Sequence, residues 1–171
     1  MENTNKKQKI VYVVCGIPGS GKSTWINKNY IWDYDFLISR DAIRFNLLKD
    51  GEDYFSKENE VKKEFYKAIY EATHSNNGTG IVFIDATHLT PNTRKLTLNQ
   101  VASDAKIIAV DFNINLLTAI SRNAQRTGRA LVPEHAIRRM YGQYVTPRIG
   151  EGFDEIWHIN DEGIVTKEVR E

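Results

Sequence analysis

The chain has 171 residues, of which 41% are hydrophobic, and it is long enough to bury a core within one domain. Its formal net charge of +1 excludes a global field that would attract nucleic acid or a membrane, so any basic surface must be local. A single cysteine excludes an internal disulfide and suits a reducing cytoplasm. No apolar run approaches the length of a membrane helix, and we expect no membrane association.

In chain order, a polar tail at 1–8 is expected to be disordered, and 9–171 to form a single domain. Apolar runs that alternate with helical segments predict an α/β fold with a parallel central sheet of about five strands, flanked by helices on both faces. The predicted strands are 9–15, 36–39, 80–85, 106–112 and 155–159, with a short closing strand at 164–169.

Helix signals lie between these strands. The longest helix is predicted over 56–74 and is stopped by a turn at 76–78. Thr90 and Pro91 are typical of a helix N-cap and first position, and they predict a helix over 92–103. Pro133 and Glu134 open another helix in the same way.

The first predicted strand leads into a phosphate-binding sequence. Residues 16–23 read GIPGSGKS, match G-x-x-x-x-G-K-[ST] and precede a helical run. Glycine lets such a loop turn tightly around phosphate oxygens, the lysine carries charge to the β- and γ-phosphates, and the Ser23 hydroxyl can ligate Mg²⁺. We therefore predict that a nucleoside triphosphate is bound by Gly16, Gly19, Ser20, Gly21, Lys22, Ser23 and Thr24.

Two acidic residues lie at the ends of the second and third predicted strands. Asp41 lies at a strand-to-helix junction, where it would accept a proton from an acceptor hydroxyl while Arg44 holds a phosphate of that acceptor. Alternatively, Asp41 caps the helix and pairs with Arg44 on the surface. Asp85 ends the third strand, where it would support Mg²⁺ through water or serve as a polar residue at a helix entry.

Other polar residues near this edge are less specific. Thr87, Asn92 and Arg94 would contact either nucleic acid or the rim of the sheet. The four histidines lack metal-ligand spacing, and we interpret them as solvated or hydrogen-bonded surface residues. Cys15 is interpreted as a small buried hydrophobic residue rather than a reactive thiol.

The local basic surface lies between 122 and 148. A flexible loop with a glycine would bring arginines over the γ-phosphate as a lid, because guanidinium favours bidentate phosphate contacts. The alternative is a solvated helix end favoured by the helix dipole. The arginines are Arg122, Arg126, Arg129, Arg138, Arg139 and Arg148.

The motifs GIPGSGKST, SRDAIR, DATHL and RNAQRTGRALVPEHAIRRMY, in this order, resemble the kinase domain of bacteriophage and bacterial polynucleotide 5′-kinases over about 9–144. That family transfers the γ-phosphate of ATP to 5′-hydroxyl ends of RNA or DNA. The resemblance implies a P-loop kinase fold with a helical, arginine-bearing lid, and a cytoplasmic protein, in the host cytoplasm if a phage encodes it. It also implies that Lys22 and Ser23 bind ATP and Mg²⁺ and that Asp41 is the general base.

The same resemblance assigns further side chains. Arg44 would contact the 3′-phosphate of the terminal nucleotide. From their positions in the sequence, we also expect Arg40 and Thr87 on the substrate-binding side. Arg126 would stabilise the transferring phosphoryl group, with Arg122 and Arg129 in the same ATP-binding lid. The D-x-D-x-T motif of a phosphatase domain is absent from the sequence, so kinase activity alone is expected.

Three functions are compatible with these residues. A 5′-hydroxyl polynucleotide kinase is favoured, with a separate ligase or phosphatase as a plausible partner in end repair. A kinase for a nucleoside or sugar would need the same loop and base. A nucleotide-dependent switch would not need Asp41.

Overall fold

The central sheet contains the strands predicted from the sequence. The computed structural model describes residues 8–75 and 80–171. Within them, six strands form one sheet in the order β2-β3-β1-β4-β5-β6. The first five strands run parallel, and β6 is antiparallel to β5. Their bounds are β1 Ile10–Cys15, β2 Phe36–Ser39, β3 Ile81–Asp85, β4 Lys106–Phe112, β5 Glu155–Ile159 and β6 Val165–Val169.

The α/β prediction is confirmed, and the closing strand is confirmed as β6. The predicted turn at 76–78 and residues 1–7 of the predicted tail lie outside the described residues. Gln8, the last residue of that tail, donates a hydrogen bond from Nε2 to the carbonyl oxygen of Asp104 (3.1 Å). The division into a tail and one domain stays a prediction.

The helices of the described residues cover both faces of the sheet. On one face, Phe65 and Ile69 of the longest helix are buried against β1 and β3. On the other face, Ile26, Ala119 and Ile137 from three helices are buried. The helix bounds are α1 Lys22–Asn29, α2 Arg40–Leu47, α3 Glu58–His74, α4 Pro91–Leu98, α5 Leu116–Ala124 and α6 Glu134–Gln143.

Helix α4 starts where predicted and ends early. Thr90 is its N-cap and exchanges hydrogen bonds with Thr93 in a capping box. The helix ends at Leu98 rather than near 103, and the amide of Gln100 donates to the carbonyl of Thr97 (3.0 Å) in a tighter turn. No helix within 8–75 and 80–171 has the length and apolar character needed to cross a membrane.

A buried histidine joins β1 to α4. His88 is 3% exposed and has a positive φ of 45°. Its Nδ1 lies 2.7 Å from the carbonyl oxygen of Val14, and its Nε2 lies 3.0 Å from Oγ1 of Thr97. Because a carbonyl can only accept, Nδ1 carries the proton and Nε2 accepts from the threonine hydroxyl. The expectation of a surface histidine is wrong for His88, which the fold places at the end of β1.

Arg94 is a buried tie between α4 and the segment after α6. Its guanidinium donates from Nη1 to the carbonyls of His88 (2.9 Å) and Val145 (2.8 Å). It also donates from Nε and Nη2 to the two carboxylate oxygens of Glu151 (2.6 and 2.8 Å). Arg94 has no exposed surface. With no exposed surface, Arg94 is not available to nucleic acid, and its partners lie in connections between elements rather than in the strands of the sheet.

Replacement of Arg94 tests this tie. Arg94→Met is expected to lower the free energy of unfolding by about 3–5 kcal/mol, because Glu151 is left partly buried without its cation. The matched control is Arg138→Met, which removes an exposed helical pair with Glu134 and should cost less than about 0.5 kcal/mol. Urea denaturation measures both variants, and equal losses in the two would contradict the structural role of Arg94.

The pH dependence of stability tests His88. Burial lowers the pKa of His88 to about 4, whereas an unfolded histidine titrates near about 6.5. The unfolded state therefore binds the proton first, and stability falls as pH drops through that window, by about 2 kcal/mol from this group between pH 7 and pH 5. His88→Asn should flatten the pH profile measured by urea denaturation. His135→Asn, at an exposed position, should not. An unchanged profile in His88→Asn would refute the assignment.

Candidate phosphate-transfer site

Parallel register brings the ends of β1, β2 and β3 to one edge of the sheet. Asp85, the last residue of β3, is level with Val14 of β1 on one side and Ser39 of β2 on the other. The phosphate-binding sequence follows β1, and Asp41 follows β2. Ligands of open α/β sheets bind beyond these carboxyl ends, so the predicted phosphate, base and metal residues converge there.

The loop after β1 is tightly fixed by contacts that require glycine. The amide of Gly16 donates to the carbonyl of Thr87 (3.0 Å), which ties the loop to the β3–α4 connection. Gly19 has a φ of 80°, and a Cβ there would lie 2.2 Å from the carbonyl oxygen of Ala119. Neither this conformation nor this approach to α5 is open to a larger residue.

The N-terminus of α1 has no side-chain cap. Gly21 occupies the cap position with a φ of 102°, whereas Ser39, Thr90 and Asn115 accept backbone hydrogen bonds at the starts of α2, α4 and α5. The first amides of a helix have no intrahelical acceptor, and here no side chain replaces it. Ser20 Oγ is also buried without a hydrogen-bond partner among the described residues. These donors fit the phosphate groups of a nucleotide.

Lys22 folds back onto this loop. Its Nζ donates to the carbonyl oxygens of Gly16 (2.8 Å) and Ile17 (2.9 Å). Burial lowers the pKa of Lys22; the negative charge of Asp85 opposes that shift and the positive charge of Arg126 adds to it. Lys22 therefore lies within the electrostatic reach of both, and phosphate oxygens would take the place of its two carbonyl acceptors.

Asp85 is partly buried at the centre of this edge. Its Oδ2 accepts a long hydrogen bond from Ser39 Oγ (3.4 Å). Burial raises the pKa of Asp85, the charge of Lys22 lowers it, and the charge of Asp41 raises it. Because Thr90 caps α4, Asp85 is not the helix-entry residue of the alternative interpretation.

The donor set at this edge suits Mg²⁺. Ser23 is exposed at the start of α1, and Asp85 lies across from the loop. No group of three or more histidine, cysteine or acidic residues within 8–75 and 80–171 could hold a metal by itself. Mg²⁺ keeps several waters and uses substrate phosphates as ligands, so one hydroxyl and one carboxylate are sufficient protein donors. The roles of Ser23 and Asp85 stay predictions.

Asp41 is exposed at the start of α2. The cap of that helix is Ser39, whose Oγ accepts from the amide of Ala42 (3.4 Å), so the capping interpretation of Asp41 is wrong. Asp41 Oδ1 accepts from Arg44 Nη1 (2.9 Å) and from the Tyr54 hydroxyl (2.8 Å). Oδ2 has no hydrogen-bond partner among the described residues. One carboxylate oxygen is thus held while the other is available to an acceptor.

Arg44 pairs with Asp41 as the second interpretation expected, but it is buried rather than on the surface. It is 5% exposed, and its guanidinium carbon lies 4.4 Å from the centre of the Tyr54 ring. Its Nη2 binds Glu58, which also binds Arg40. The predicted substrate-binding arginines are therefore both paired with one carboxylate at the start of α3.

The lid segment lies between α5 and α6 and contains a short 3-10 turn, Gly128–Ala130, rather than a continuous helix. At its base, Asn123 is buried and binds Val132 twice, with Nδ2 donating to the carbonyl oxygen (2.7 Å) and Oδ1 accepting from the amide (3.1 Å). This pair of bonds fixes the two ends of the lid segment while the arginine-bearing turn extends from them.

The arginine cluster divides in the structure. Arg122 Nη1 lies 3.4 Å from the carbonyl oxygen of Ser20, on the phosphate-binding loop. Arg126 is partly buried, and its charge lowers the pKa values of Lys22 and Asp85. Both positions are compatible with the predicted contacts to ATP.

Other arginines point elsewhere. Arg129 Nη2 lies 3.7 Å from Asp50 Oδ1, and its guanidinium carbon lies 5.8 Å from the Phe45 ring centre, on the α2 side of the site. Arg138 forms an exposed helical pair with Glu134. The lid interpretation thus fits Arg122 and Arg126, and the solvated-helix alternative fits Arg138. The ATP contact of Arg129 stays a prediction.

Sequence reasoning did not connect Tyr54 or Glu58 with Asp41 and Arg44. Tyr54 precedes the predicted long helix, and Glu58 lies in its first turn. Their partner Arg44 is 10 and 14 residues away, respectively, so no helical spacing connects them.

Gly19 tests the loop geometry. Gly19→Ala is expected to destabilise the protein by about 2–4 kcal/mol and to weaken nucleotide binding, because the new Cβ meets the backbone of α5 at an unfavourable φ. The control Gly150→Ala adds a Cβ with no heavy atom within 4 Å. Urea denaturation and fluorescent-nucleotide titration measure both variants. Wild-type nucleotide affinity in Gly19→Ala would contradict this geometry.

Comparison with known proteins supports the fold and the loop. A family model described as AAA domain matches residues 11–147, which is most of the chain. No curated protein matches the sequence significantly.

Solved structures of similar fold include a gluconokinase and chains of two protein complexes. A gluconokinase from Sinorhizobium meliloti 1021 is 20% identical with a TM-score of 0.55, covering 88% of this chain and 82% of that one. A chain of the Pnkp1/Rnl/Hen1 RNA repair complex is 21% identical with a TM-score of 0.64. The match covers 84% of this chain but only 46% of that chain.

A third similar structure is the AvrRxo1-ORF1:-ORF2 complex with ATP, at 11% identity and a TM-score of 0.61, covering 94% of this chain and 57% of the other. At these identities the likenesses show the fold alone. Since the family model spans 11–147, which is most of the chain, and the sheet carries the phosphate-binding sequence directly after β1, the chain belongs to the AAA domain family.

Proposed function

We propose that this protein is a cytoplasmic, ATP-dependent polynucleotide 5′-hydroxyl kinase that acts on RNA or DNA ends. The observation that carries the proposal is the carboxylate of Asp41, which keeps one oxygen available and follows β2, whose last residue Ser39 is level with Asp85. A group that accepts a proton from a hydroxyl beside a phosphate-binding loop is what phosphoryl transfer to an alcohol requires.

The reaction follows from these positions. The acceptor oxygen forms a bond to the γ-phosphorus while its proton passes to Asp41 Oδ2. The bond from the γ-phosphorus to the bridging oxygen breaks, and ADP leaves with that electron pair. Lys22 and Arg126 stabilise the charge on the transferring group. Mg²⁺, held by Ser23 and through water by Asp85, would neutralise charge on the β- and γ-phosphates.

The acceptor side supports a polynucleotide through its arginines. Arg44 binds the same carboxylate that would accept the proton, so a phosphate bound to Arg44 would bring its nucleotide close to Asp41. Binding would require Arg44 to release Glu58 in exchange for that phosphate. Arg40 and Thr87 would line the same side. Arg129, which reaches the α2 side, would contact the acceptor strand as well as ATP.

A sugar or nucleoside kinase is the second candidate, and one observation favours it. Glu58 already neutralises Arg40 and Arg44, and Arg44 is almost fully buried, so an uncharged acceptor would bind without disturbing that cluster. The similar gluconokinase shows that this fold also serves small acceptors.

End repair by a kinase leaves other steps to other activities. A 5′-phosphate must be joined by a ligase, and a blocked 3′-end must be opened by a phosphatase. We propose that separate proteins supply these steps, as an RNA repair assembly contains one of the similar chains.

Asp41→Asn tests the proposal. With γ-labelled ATP, Mg²⁺ and a 5′-hydroxyl oligonucleotide, kcat should fall by about 10²–10⁴-fold while the KM for ATP is unchanged, because only the proton acceptor is lost. Asp33→Asn is the matched control, since Asp33 is exposed and has a positive φ that asparagine tolerates.

Undiminished turnover in Asp41→Asn would contradict the role of the base and would favour a nucleotide-dependent switch. Absence of label on any oligonucleotide, with label on a sugar or nucleoside, would move the assignment to the second candidate.

A further inference from the structure

The connector between α2 and α3 places a tyrosine hydroxyl on Asp41. Tyr54 Oη lies 2.8 Å from Asp41 Oδ1, and Arg44 Nη1 donates to the same oxygen at 2.9 Å. We infer that Tyr54 is a positioning residue for the reaction: with Arg44 it fixes the carboxylate so that Oδ2 faces the acceptor hydroxyl. The inference rests on the proposed phosphoryl transfer through Asp41, and it holds for a polynucleotide or a small acceptor alike.

The ring of Tyr54 is held on several sides. Phe55 packs edge-on at 4.8 Å between ring centres and Phe45 at 6.2 Å, and the Arg44 guanidinium lies over the ring at 4.4 Å. Arg44 is in turn bound to Glu58. These contacts hold the Tyr54 ring, and therefore its hydroxyl, in one position, although Tyr54 lies in the connector between α2 and α3.

The hydroxyl can act only as a donor to this carboxylate. Burial, followed by the charge of Asp41, raises the pKa of Tyr54 to about 12, so the phenol stays protonated at physiological pH. Arg44 also donates to the Tyr54 oxygen (2.9 Å), which directs the tyrosine proton towards Asp41. The resulting chain runs from a buried guanidinium through the phenol to the carboxylate.

Stability alone does not account for this arrangement. The Asp41 side chain is 65% exposed, and hydrogen bonds to an exposed carboxylate add little to folding because water offers equivalent donors. Their effect is on orientation. Without two donors on Oδ1, the Asp41 carboxylate would rotate about its Cβ–Cγ bond, and neither oxygen would be held towards the acceptor hydroxyl. A base held in one orientation reduces the entropy cost of the transfer step.

Tyr54→Phe is the direct test, because it keeps the ring under Arg44 and removes only the hydroxyl. We expect kcat to fall about 10-fold with little change in the KM for ATP. The other charged groups near this base are Arg40, Arg44, Glu58, Lys22, Asp85 and Arg126, all unchanged in the variant.

Tyr70→Phe is the matched control. Tyr70 is exposed and stacks on His74 at 3.9 Å between ring centres, in the last turns of α3. Tyr70→Phe should match wild type in both kcat and the KM for ATP. A tyrosine that acts only through packing would leave both readouts unchanged in Tyr54→Phe and lose stability in Tyr54→Leu, and that pattern would overturn the inference.

The variants are assayed with whichever acceptor the wild type phosphorylates, drawn from 5′-hydroxyl oligonucleotides, nucleosides and sugars. Rejection of oligonucleotides in favour of a sugar would overturn the polynucleotide proposal while Tyr54 is still measured. A Tyr54→Phe variant with wild-type kinetics beside an inactive Asp41→Asn variant would overturn the Tyr54 inference alone.

Discussion

The parallel register of β1, β2 and β3 is the constraint on which the site depends. Because Asp85 is level with both Val14 and Ser39, the loop after β1 and the helix after β2 begin at the same level along the strands, at the carboxyl edge of the sheet. A slip of one residue in either pairing would turn Asp85 to the other face of the sheet. His88 also holds the end of β1, because its Nδ1 donates a hydrogen bond to the carbonyl oxygen of Val14.

Charge balance then organises what the register brings together. On the donor side, the positive Lys22 and Arg126 face the negative Asp85. On the acceptor side, Arg40 and Arg44 face Glu58 and Asp41. In the proposed function, a triphosphate would add negative charge to the first group, while a phosphate on the acceptor would have to displace Glu58 from the second. The first group would then bind its ligand directly, whereas the second would exchange an internal ion pair for a charged acceptor.

Features encoded locally could be predicted from the sequence. The strands were identified because buried parallel strands are apolar on both faces, and the nucleotide loop because its glycines, lysine and serine are contiguous. Features that depend on distant partners could not be predicted. Arg94 is buried because Glu151, 57 residues away, neutralises it. The exposure of Asp41 and the burial of Arg44 likewise depend on Glu58 and Tyr54, and the packing of α2 on α3 creates that arrangement.

The identity of the phosphorylated acceptor is the central claim of the proposed function. The decisive measurement is the ratio of kcat/KM values for wild-type enzyme with a 5′-hydroxyl dinucleotide bearing a 3′-phosphate, the same dinucleotide with a 3′-hydroxyl, and gluconate. The account predicts the 3′-phosphorylated dinucleotide as the best acceptor, because its phosphate takes the place of Glu58 on Arg44. A preference for gluconate, or no gain from the 3′-phosphate, would contradict it.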